Sequence, residues 1–153
     1  MFVFGGRRGW LHYNTIRVFD TETNSWMNTP STQLLPEERC AHSAFTYNGE
    51  LYVFGGWNGN QAFNDVWKFS PESFSWKKVE PKGKGPPPTW SMGCCMVGDR
   101  IFLFGGWNTP DDLYVLDLSP SLKTLCKLAV IQYDLEQSQL PHDLKWELDA
   151  MLP

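Results

Sequence analysis

The sequence predicts an all-β fold built from repeated antiparallel sheets and followed by a short C-terminal α-helical segment. Phe-Gly-Gly occurs three times, and the first glycines of the three copies, Gly5, Gly55 and Gly105, are 50 residues apart. Two tryptophans, Trp26 and Trp76, keep the same spacing of 50 residues. A fixed period of this length is typical of folds in which similar sheets stack in series. We therefore expect a repeat protein whose units each span about 50 residues.

The first unit, residues 1–30, has the pattern of a partial sheet. It begins with a short apolar strand, and the glycine doublet then opens a loop over 5–9. Alternating apolar and polar residues predict a strand over 15–20. A short outer strand follows and contains Trp26. We expect Trp26, like Trp76, to be an ordinary core aromatic where neighbouring units meet.

The second unit, residues 39–80, is the most complete. Its first two strands are joined by Asn-Gly at position 48, which is a strong hairpin signal. Side chains alternate between the two faces of a strand, so Val53 points one way and Phe54 the other. Both faces are apolar, and we expect neighbouring units to cover both. The predicted strands are residues 41–47, 50–54, 65–69 and 75–79.

The third unit, residues 90–118, begins in the same way, but the 50-residue repeat is not continued after its third strand. No tryptophan occurs between positions 117 and 130, where a fourth strand would fall. We therefore expect one complete unit, a first unit without its inner strand and a third unit without its outer strand. The predicted strands of the third unit are residues 93–97, 100–104 and 113–116.

The segment after the third unit has the pattern of a helix. Ser119 is a candidate cap, and Pro120 suits the first turn, where its missing N–H is harmless. Leu122, Cys126 and Val130 recur every four residues and so share one stripe of the helix. The stripe is widened by Leu125 and Leu128.

A second helix is predicted after Leu140-Pro141. Pro141 fits its first turn, Asp143 suits the positive N-terminus, and Leu144 and Leu148 lie four residues apart. Two interpretations of these helices stay open. They form a C-terminal hairpin packed on the last unit, or they present a docking surface for a helical partner.

A period of about 50 residues with a glycine doublet resembles the kelch repeat, in which each unit is one blade of a β-propeller. The resemblance implies a partial kelch β-propeller of about three blades over 1–118, with partial blades at 1–30 and 90–118 and a complete blade at 39–80. The helical segment is 119–153. Closed propellers have about four to eight blades. We therefore expect either a shortened gene product or a chain that pairs with another copy.

The two helical patterns resemble the paired boxes of cullin-2 substrate receptors, a family of ubiquitin-ligase subunits. Ser121 followed by the first stripe is similar to the elongin-binding box, and the second helix with its Leu-Pro start is similar to the cullin-2 box. The resemblance implies binding to elongin B–elongin C through Leu122, Leu125, Cys126 and Val130. It implies binding to cullin-2, with its RING subunit, through Leu140, Pro141, Leu144 and Leu148.

This resemblance also implies that the propeller holds the C-terminal tail of a substrate protein, a tail that ends in glycine. A free carboxylate suits arginine and hydroxyl groups, which would lie in the loops and strand ends lining the propeller channel. Members of the family tend to have arginine in the stretch equivalent to 89–92, and this chain has none there. The candidate tail-binding residues are Arg39, His42, Ser43, Trp57, Trp90, Ser91 and Trp107.

The residues do not indicate a catalytic class of function. No pattern of an enzyme, a metal site or a cofactor site is recognisable: the histidines His12, His42 and His142 lie in unrelated contexts, and Cys94-Cys95 on one strand would face opposite ways. We expect a non-catalytic receptor that needs no cofactor. The alternative is a kelch interaction scaffold without ligase assembly, since related proteins are associated with chromatin and meiotic recombination.

Charge and composition narrow the partners and the compartment. The net charge is −4, and nothing stacks bases beside the lysine-rich loop at 81–88, so we expect no direct nucleic-acid binding. No apolar run has membrane-spanning length, and the four cysteines contain no Cys-x-x-Cys pair. We expect reduced thiols and a cytoplasmic location, with a nuclear location also open.

Overall fold

The computed structural model describes residues 1–30, 32 and 34–151. The last two residues of the predicted helical segment, 152 and 153, lie outside this range. The described residues form four antiparallel sheets and two short helices, without a closed barrel, which confirms the prediction of a partial propeller followed by helices. The strands are β1 (Phe2–Phe4), β2 (Arg7–Arg8), β3 (Leu11–His12), β4 (Ile16–Asp20), β5 (Ser25–Trp26), β6 (Ser43–Tyr47), β7 (Glu50–Trp57), β8 (Ala62–Ser70), β9 (Ser75–Val79), β10 (Gly93–Val97), β11 (Arg100–Phe104) and β12 (Leu113–Asp117).

The first blade is the three-stranded sheet β1-β4-β5. The stretch predicted as a loop at 5–9 contains strand β2, which pairs with β3 in a small separate hairpin. The prediction that Trp26 is a core aromatic is wrong. Its side chain is 54% exposed and contacts Phe19 in the same sheet, with ring centroids 5.2 Å apart. Trp26 points away from the second blade, and no described strand covers that face.

The second blade is the four-stranded sheet β6-β7-β8-β9, in sequence order. The glycine doublet was expected to end its second strand, but β7 continues through Gly55 and Gly56 to Trp57. The pairing with β8 shifts register between Phe54 and Gly56, so the doublet forms a bulge here. Both glycines have positive φ, 64° and 107°, which explains how the strand bends without ending.

Two separate cores cover the two faces of the second blade, as the alternation in β7 predicts. Val53 packs with Phe4 and Ile16 of the first blade. Phe54, on the next position and the opposite face, packs with Ile101 and Leu103 of the third blade. The central sheet is therefore buried on both sides by its neighbours.

The third blade is the three-stranded sheet β10-β11-β12, and no fourth strand follows β12 in the described part of the chain. Helix α1 (Leu122–Gln132) comes next. Its cap is Ser121, whose hydroxyl oxygen accepts a hydrogen bond from the Thr124 N–H at 3.1 Å. The predicted cap, Ser119, lies two residues too early: its own N–H donates to the Asp117 carboxylate in the turn that ends β12.

Helix α2 (His142–Asp149) begins directly after Pro141, which occupies the cap position and not the first turn. Lys123 and Lys127 of α1 both form ion pairs with Glu147 of α2, and these pairs tie the two helices together. Neither helix of the described chain is long and apolar enough to cross a membrane.

Candidate functional site

The loops that follow the Phe-Gly-Gly doublets are fixed by backbone hydrogen bonds that recur from blade to blade. In the second blade, Trp57 and Cys40 exchange two N–H to carbonyl bonds of 3.0 and 2.9 Å. In the third blade, the N–H of Trp107 donates to the carbonyl of Trp90 at 3.1 Å. Trp107 and Trp90 lie 50 residues beyond Trp57 and Cys40. The repeat therefore places equivalent residues at the same end of both blades.

Three of the predicted tail-binding residues contact one another at this end, and we call them the tryptophan row (Trp57, Trp90 and Trp107). The ring centroids of Trp57 and Trp90 are 4.8 Å apart with the planes tilted by 40°, and those of Trp90 and Trp107 are 5.4 Å apart and stacked, with the planes 14° from parallel. Trp107 is 73% exposed at the end of the row. The row presents a continuous aromatic surface across two blades, suited to flat groups such as peptide planes.

Ser91 adjoins the row and keeps its side chain exposed. Its φ of 59° turns the chain, and its N–H donates to the carbonyl of Ala41 at 2.8 Å. The turn links the third blade to the second. Nearby asparagines that follow the doublets are used internally: Asn58 accepts from backbone N–H groups of its own loop, and Asn108 donates to the carbonyl of Pro88.

Arg39 lies inside the protein and is fully occupied. Its side chain is 0% exposed, and its guanidinium donates to the two carboxylate oxygens of Asp65 at 2.6 and 3.1 Å. It also donates to the carbonyls of Gly55 and Glu37 and lies over the ring of Phe63. In this structure the guanidinium is not free to receive a substrate carboxylate. Sequence reasoning missed this role because Asp65 lies 26 residues away.

The ion pair of Arg39 holds Asp65 in its charged form. Burial of Asp65 opposes its ionisation, but hydrogen bonds from Arg39 and from the indole N–H of Trp67 outweigh this effect and lower its pKa. A carboxylate with bidentate arginine contacts of this kind is strongly oriented. The Arg39–Asp65 pair therefore acts as a clamp that holds the segment leading into the second blade against the third strand of that blade, β8.

His42 and Ser43 lie between blades and not on the exposed surface of the row. Burial, with a smaller effect from Arg39, lowers the pKa of His42 to about 4, so the imidazole is neutral near pH 7. Its ring meets the edge of Phe4. Ser43 is buried and donates to the carbonyl of Met92 at 2.9 Å. Neither side chain supplies a cation to a ligand in this arrangement.

The residues predicted to bind elongin lie on the outer surface of α1. Leu122 is 77% exposed, Cys126 and Leu125 are exposed, and Val130 is half-buried. The stripe is thus open in this chain although it is apolar. Helix α1 also packs on the propeller, because Leu128 lies against Gly83 of the loop that joins the second and third blades.

The residues predicted to bind cullin-2 differ among themselves in exposure. Leu148 is 1% exposed and belongs to the interior, whereas Leu140 and Leu144 are half-buried and Pro141 is exposed. Trp146, which the sequence pattern did not single out, is 68% exposed on the same helix. Its position between Leu144 and Leu148, off their stripe, is the signal that would have indicated an outward side chain.

The stacked sheets, the bulged glycine doublet of the second blade and the hydrogen-bonded loops define a segment of a kelch-type β-propeller. The chain belongs to the kelch-repeat family: residues 1–106 match the model described as the KLHDC2/KLHL20/DRC7 Kelch-repeats domain. It is similar to Kelch domain-containing protein 3 of Homo sapiens, Bos taurus and Mus musculus, with 55% identity over 176 residues in each case. The alignments cover 99% of this chain and 46% of the relatives, so the chain spans about half the length of the curated relatives it matches. Kelch repeats in such a homologue are consistent with a protein-interaction role.

Proposed function

We propose that this chain is the substrate-recognition subunit of a cullin-2 RING ubiquitin ligase. Its C-terminal helices dock elongin B–elongin C and cullin-2, and its blades contact the C-terminal tail of a substrate. The chemistry of ubiquitin transfer belongs to partner subunits, and this chain positions the substrate without a catalytic residue or cofactor. The observation that supports the proposal most directly is the apolar stripe of α1, because Leu122 and Cys126 are exposed on a folded, capped helix.

The geometry of α1 suits insertion into a groove on a partner. Leu122 and Cys126 are one turn apart and therefore project side by side. Covering a leucine side chain with apolar protein contributes about 1.5–3 kcal/mol. The Ser121 cap fixes the first turn, which holds Leu122 at the tip of the helix. A rigid helix with two adjacent anchors pays little ordering entropy on binding.

The docking proposal is tested by co-precipitation with purified elongin B–elongin C. We expect Leu122→Ala combined with Cys126→Ala to weaken recovery about tenfold or more, because both anchors are lost. Leu135→Ala is a matched control, since Leu135 is also an exposed leucine but lies beyond the end of α1. Equal recovery of the double variant and the wild type would contradict the proposal.

For the substrate tail, we propose the tryptophan row as the contact surface. Glycine has no Cβ, so the backbone of a glycine-ending tail can lie directly against indole faces. Ser91 and the indole N–H groups are donors that suit the terminal carboxylate. Arg39 stabilises the blade that carries this surface through its buried ion pair with Asp65, and it does not itself contact the tail.

Peptide titration separates the two parts of this tail-binding proposal. Trp90→Ala removes the middle ring of the row, and we expect it to abolish measurable binding of a glycine-ending peptide. Trp10→Ala is the control, because Trp10 is exposed and outside the row. Amidating the C-terminus of the peptide should also weaken binding. Unchanged affinity for the amide would rule out recognition of the carboxylate.

A kelch scaffold without ligase assembly is the second candidate function. The observation that favours it is the interior position of Leu148 together with the ion pairs between α1 and α2, which is the arrangement of a hairpin that packs on its own chain. Peptide binding by the blades without any binding to elongin B–elongin C would favour this second function.

A further inference from the structure

We propose that a cleft between the second and third blades binds a compact carboxylate with an apolar body. The cleft has a volume of about 220 Å³, and its walls come from both blades and from the lysine-rich loop at 81–88. That volume equals about seven waters, which suits a single small ring with a short acidic arm. The proposal does not depend on tail binding or on elongin binding, because the residues that line the cleft include no member of the tryptophan row or of α1.

The floor of the cleft is apolar and is formed by the two blades. Phe54 and Val66 of the second blade and Leu103 of the third line it, and each is 3% exposed or less. All three belong to the core that these blades share. Strand β12 adds Leu116, which is half-buried. An apolar group that enters the cleft therefore contacts side chains that water barely reaches, as in other small-molecule sites.

The wall formed by the loop is positively charged. Lys82 and Lys84 line the cleft and are exposed. Neither lysine belongs to an ion pair in the described part of the chain. Tyr114 also lines the cleft, and its hydroxyl donates to the exposed Asp112 at 3.2 Å. The lining itself includes no acidic residue, so a ligand with one negative charge beside an apolar group is favoured.

The repeat identifies Asn64 as a hydrogen-bonding group that the cleft leaves available. Its counterpart 50 residues earlier, Asn14, donates through its side-chain amide to the carbonyl of Pro36 at 3.2 Å. The position equivalent to Pro36 is Pro86, which lines the cleft together with Asn64. Among the described residues, the amide of Asn64 makes no corresponding bond to Pro86. This amide can therefore donate to a carboxylate oxygen beside the two lysines.

The loop that closes the cleft is held at its end and not along its length. Residues 82–85 form no backbone hydrogen bond within the described chain, whereas the N–H of Thr89 donates to the carbonyl of Phe63 at 2.9 Å. Leu128 of α1 lies against this loop, because its side chain is 3.2 Å from the place of a Cβ on Gly83. A ligand that joins the loop to the blades should therefore also steady α1.

The site is tested by NMR titration of the full chain, labelled with ¹⁵N, with phenylacetate as the probe. We expect saturable shifts of the amides of 82–85 and β12, with a dissociation constant of about 0.1–1 mM. Phenylacetamide has the same ring without the charge, and acetate has the charge without the ring. Each should bind at least about tenfold more weakly, because each lacks one half of the contacts. Equal binding of phenylacetamide would overturn the proposal.

Variants of the cleft separate its charge from the general charge of the protein. Lys82→Gln combined with Lys84→Gln should weaken phenylacetate binding about tenfold or more. Asn64→Asp keeps the size of the side chain, adds a repelling carboxylate and should have a similar effect. Lys77→Gln combined with Lys78→Gln is the control, since it removes two charges from β9 outside the lining. Undiminished binding in both cleft variants would overturn the proposal.

Hydrogen exchange tests the connection between the cleft and α1. At saturating phenylacetate, the amides of α1 should exchange about twofold or more slowly in the wild type. The double lysine variant, at the same concentration of phenylacetate, should show little change. Unaltered exchange in α1 while the cleft amides show saturation would refute the connection through Gly83 and Leu128.

Discussion

At the scale of single residues, two blades satisfy equivalent backbone carbonyls with side chains from non-equivalent positions. Arg39 and Thr89 are 50 residues apart, and both are buried at the entry to their blades. Arg39 donates to the carbonyl of Gly55. In the third blade the hydroxyl of Thr109 donates to the equivalent carbonyl of Gly105, at 2.7 Å. The third blade thus retains this hydrogen bond and loses the buried ion pair.

Removing the buried Arg39 should destabilise the protein more than breaking a surface ion pair does. We expect Arg39→Met to lower the free energy of unfolding by about 3–5 kcal/mol, because it leaves the Asp65 carboxylate without its partner in a partly buried site. Arg100→Ala breaks the exposed pair with Asp117 and should cost less than about 1 kcal/mol. Urea denaturation measures both. Similar losses for the two variants would contradict a clamp at Arg39.

The neutral imidazole of His42 should make stability depend on pH. Its pKa is about 4 in the folded chain and 6.5 without the fold, so below about pH 6.5 the unfolded chain binds the proton first. Stability is therefore complete above that pH and falls as the pH drops toward 4. Between about pH 7 and pH 5 we expect the wild type to lose about 2 kcal/mol more than His42→Gln.

The measurement is the free energy of unfolding in urea at both pH values for the two proteins. His42→Gln removes the titrating group and keeps a polar side chain of moderate size at the site. An identical loss in the wild type and in His42→Gln would show that His42 does not control the acid sensitivity.

At the scale of secondary-structure elements, the glycine doublet is a junction between neighbouring blades as well as a turn. A Cβ on Gly55 would lie 2.8 Å from the carbonyl oxygen of Thr89, which belongs to the segment leading into the third blade. The next N–H, that of Gly56, donates to this same carbonyl at 3.0 Å. The bulge in β7 therefore allows one backbone to bond closely to the next.

A pair of glycine substitutions separates close approach from backbone strain. Gly55 and Gly49 both have positive φ, but a Cβ on Gly49 would meet no atom within 4 Å. We expect Gly49→Ala to cost about 1–2 kcal/mol from the left-handed backbone alone. Gly55→Ala should lower the free energy of unfolding by about 1–3 kcal/mol more than Gly49→Ala does, because the blades must move apart. Thermal or urea unfolding measures the difference, and equal costs would mean that close packing is unimportant there.

The elements that could be predicted from sequence are those whose signals are local and repeated. The 50-residue period, the Asn-Gly hairpin and the alternation in β7 predict the second blade closely. The hairpin β2–β3 was missed because two-residue strands are too short to show alternation. The cap of α1 was placed at Ser119 because a serine before a proline is as good a local signal as Ser121, and only the turn made by Asp117 distinguishes them.

The candidate site was less predictable because it depends on contacts between blades. The sequence predicts Trp57, Trp90 and Trp107 as separate site residues. Their contact with one another depends on how two sheets are aligned, which the sequence does not show. Arg39 was predicted as a ligand-binding cation because sequence shows its charge but not its distant acidic partner. The exposure of Leu122 and the burial of Leu148 do not follow from their apolar stripes, because both depend on how α1 and α2 pack.

At the scale of the whole molecule, the three blades form a short linear array. The first and third blades each share a core with the second, and the two cores are made from opposite faces of its sheet. In such arrays each unit is stabilised by its own sheet and by its nearest neighbours. A defect in one core should therefore weaken one end of the array more than the other.

Two isoleucines of the end blades allow this to be tested with the same substitution. Ile16 is buried in the core between the first and second blades, and Ile101 in the core between the second and third. Each Ile→Ala change should cost about 2–5 kcal/mol. By hydrogen exchange, Ile16→Ala should expose β1 and β4 while sparing β10 to β12, and Ile101→Ala should do the reverse. Uniform acceleration in both variants would indicate a single cooperative unit.

The tryptophan row also has an optical consequence. Indole rings whose centroids are 4.8 and 5.4 Å apart couple their electronic transitions, so the row should give a circular-dichroism couplet in addition to the backbone signal. Because Trp57 belongs to the second blade and Trp107 to the third, the couplet requires that the two blades be correctly aligned. The sign and amplitude of that band would therefore give an intrinsic readout of blade alignment, without any added dye or label.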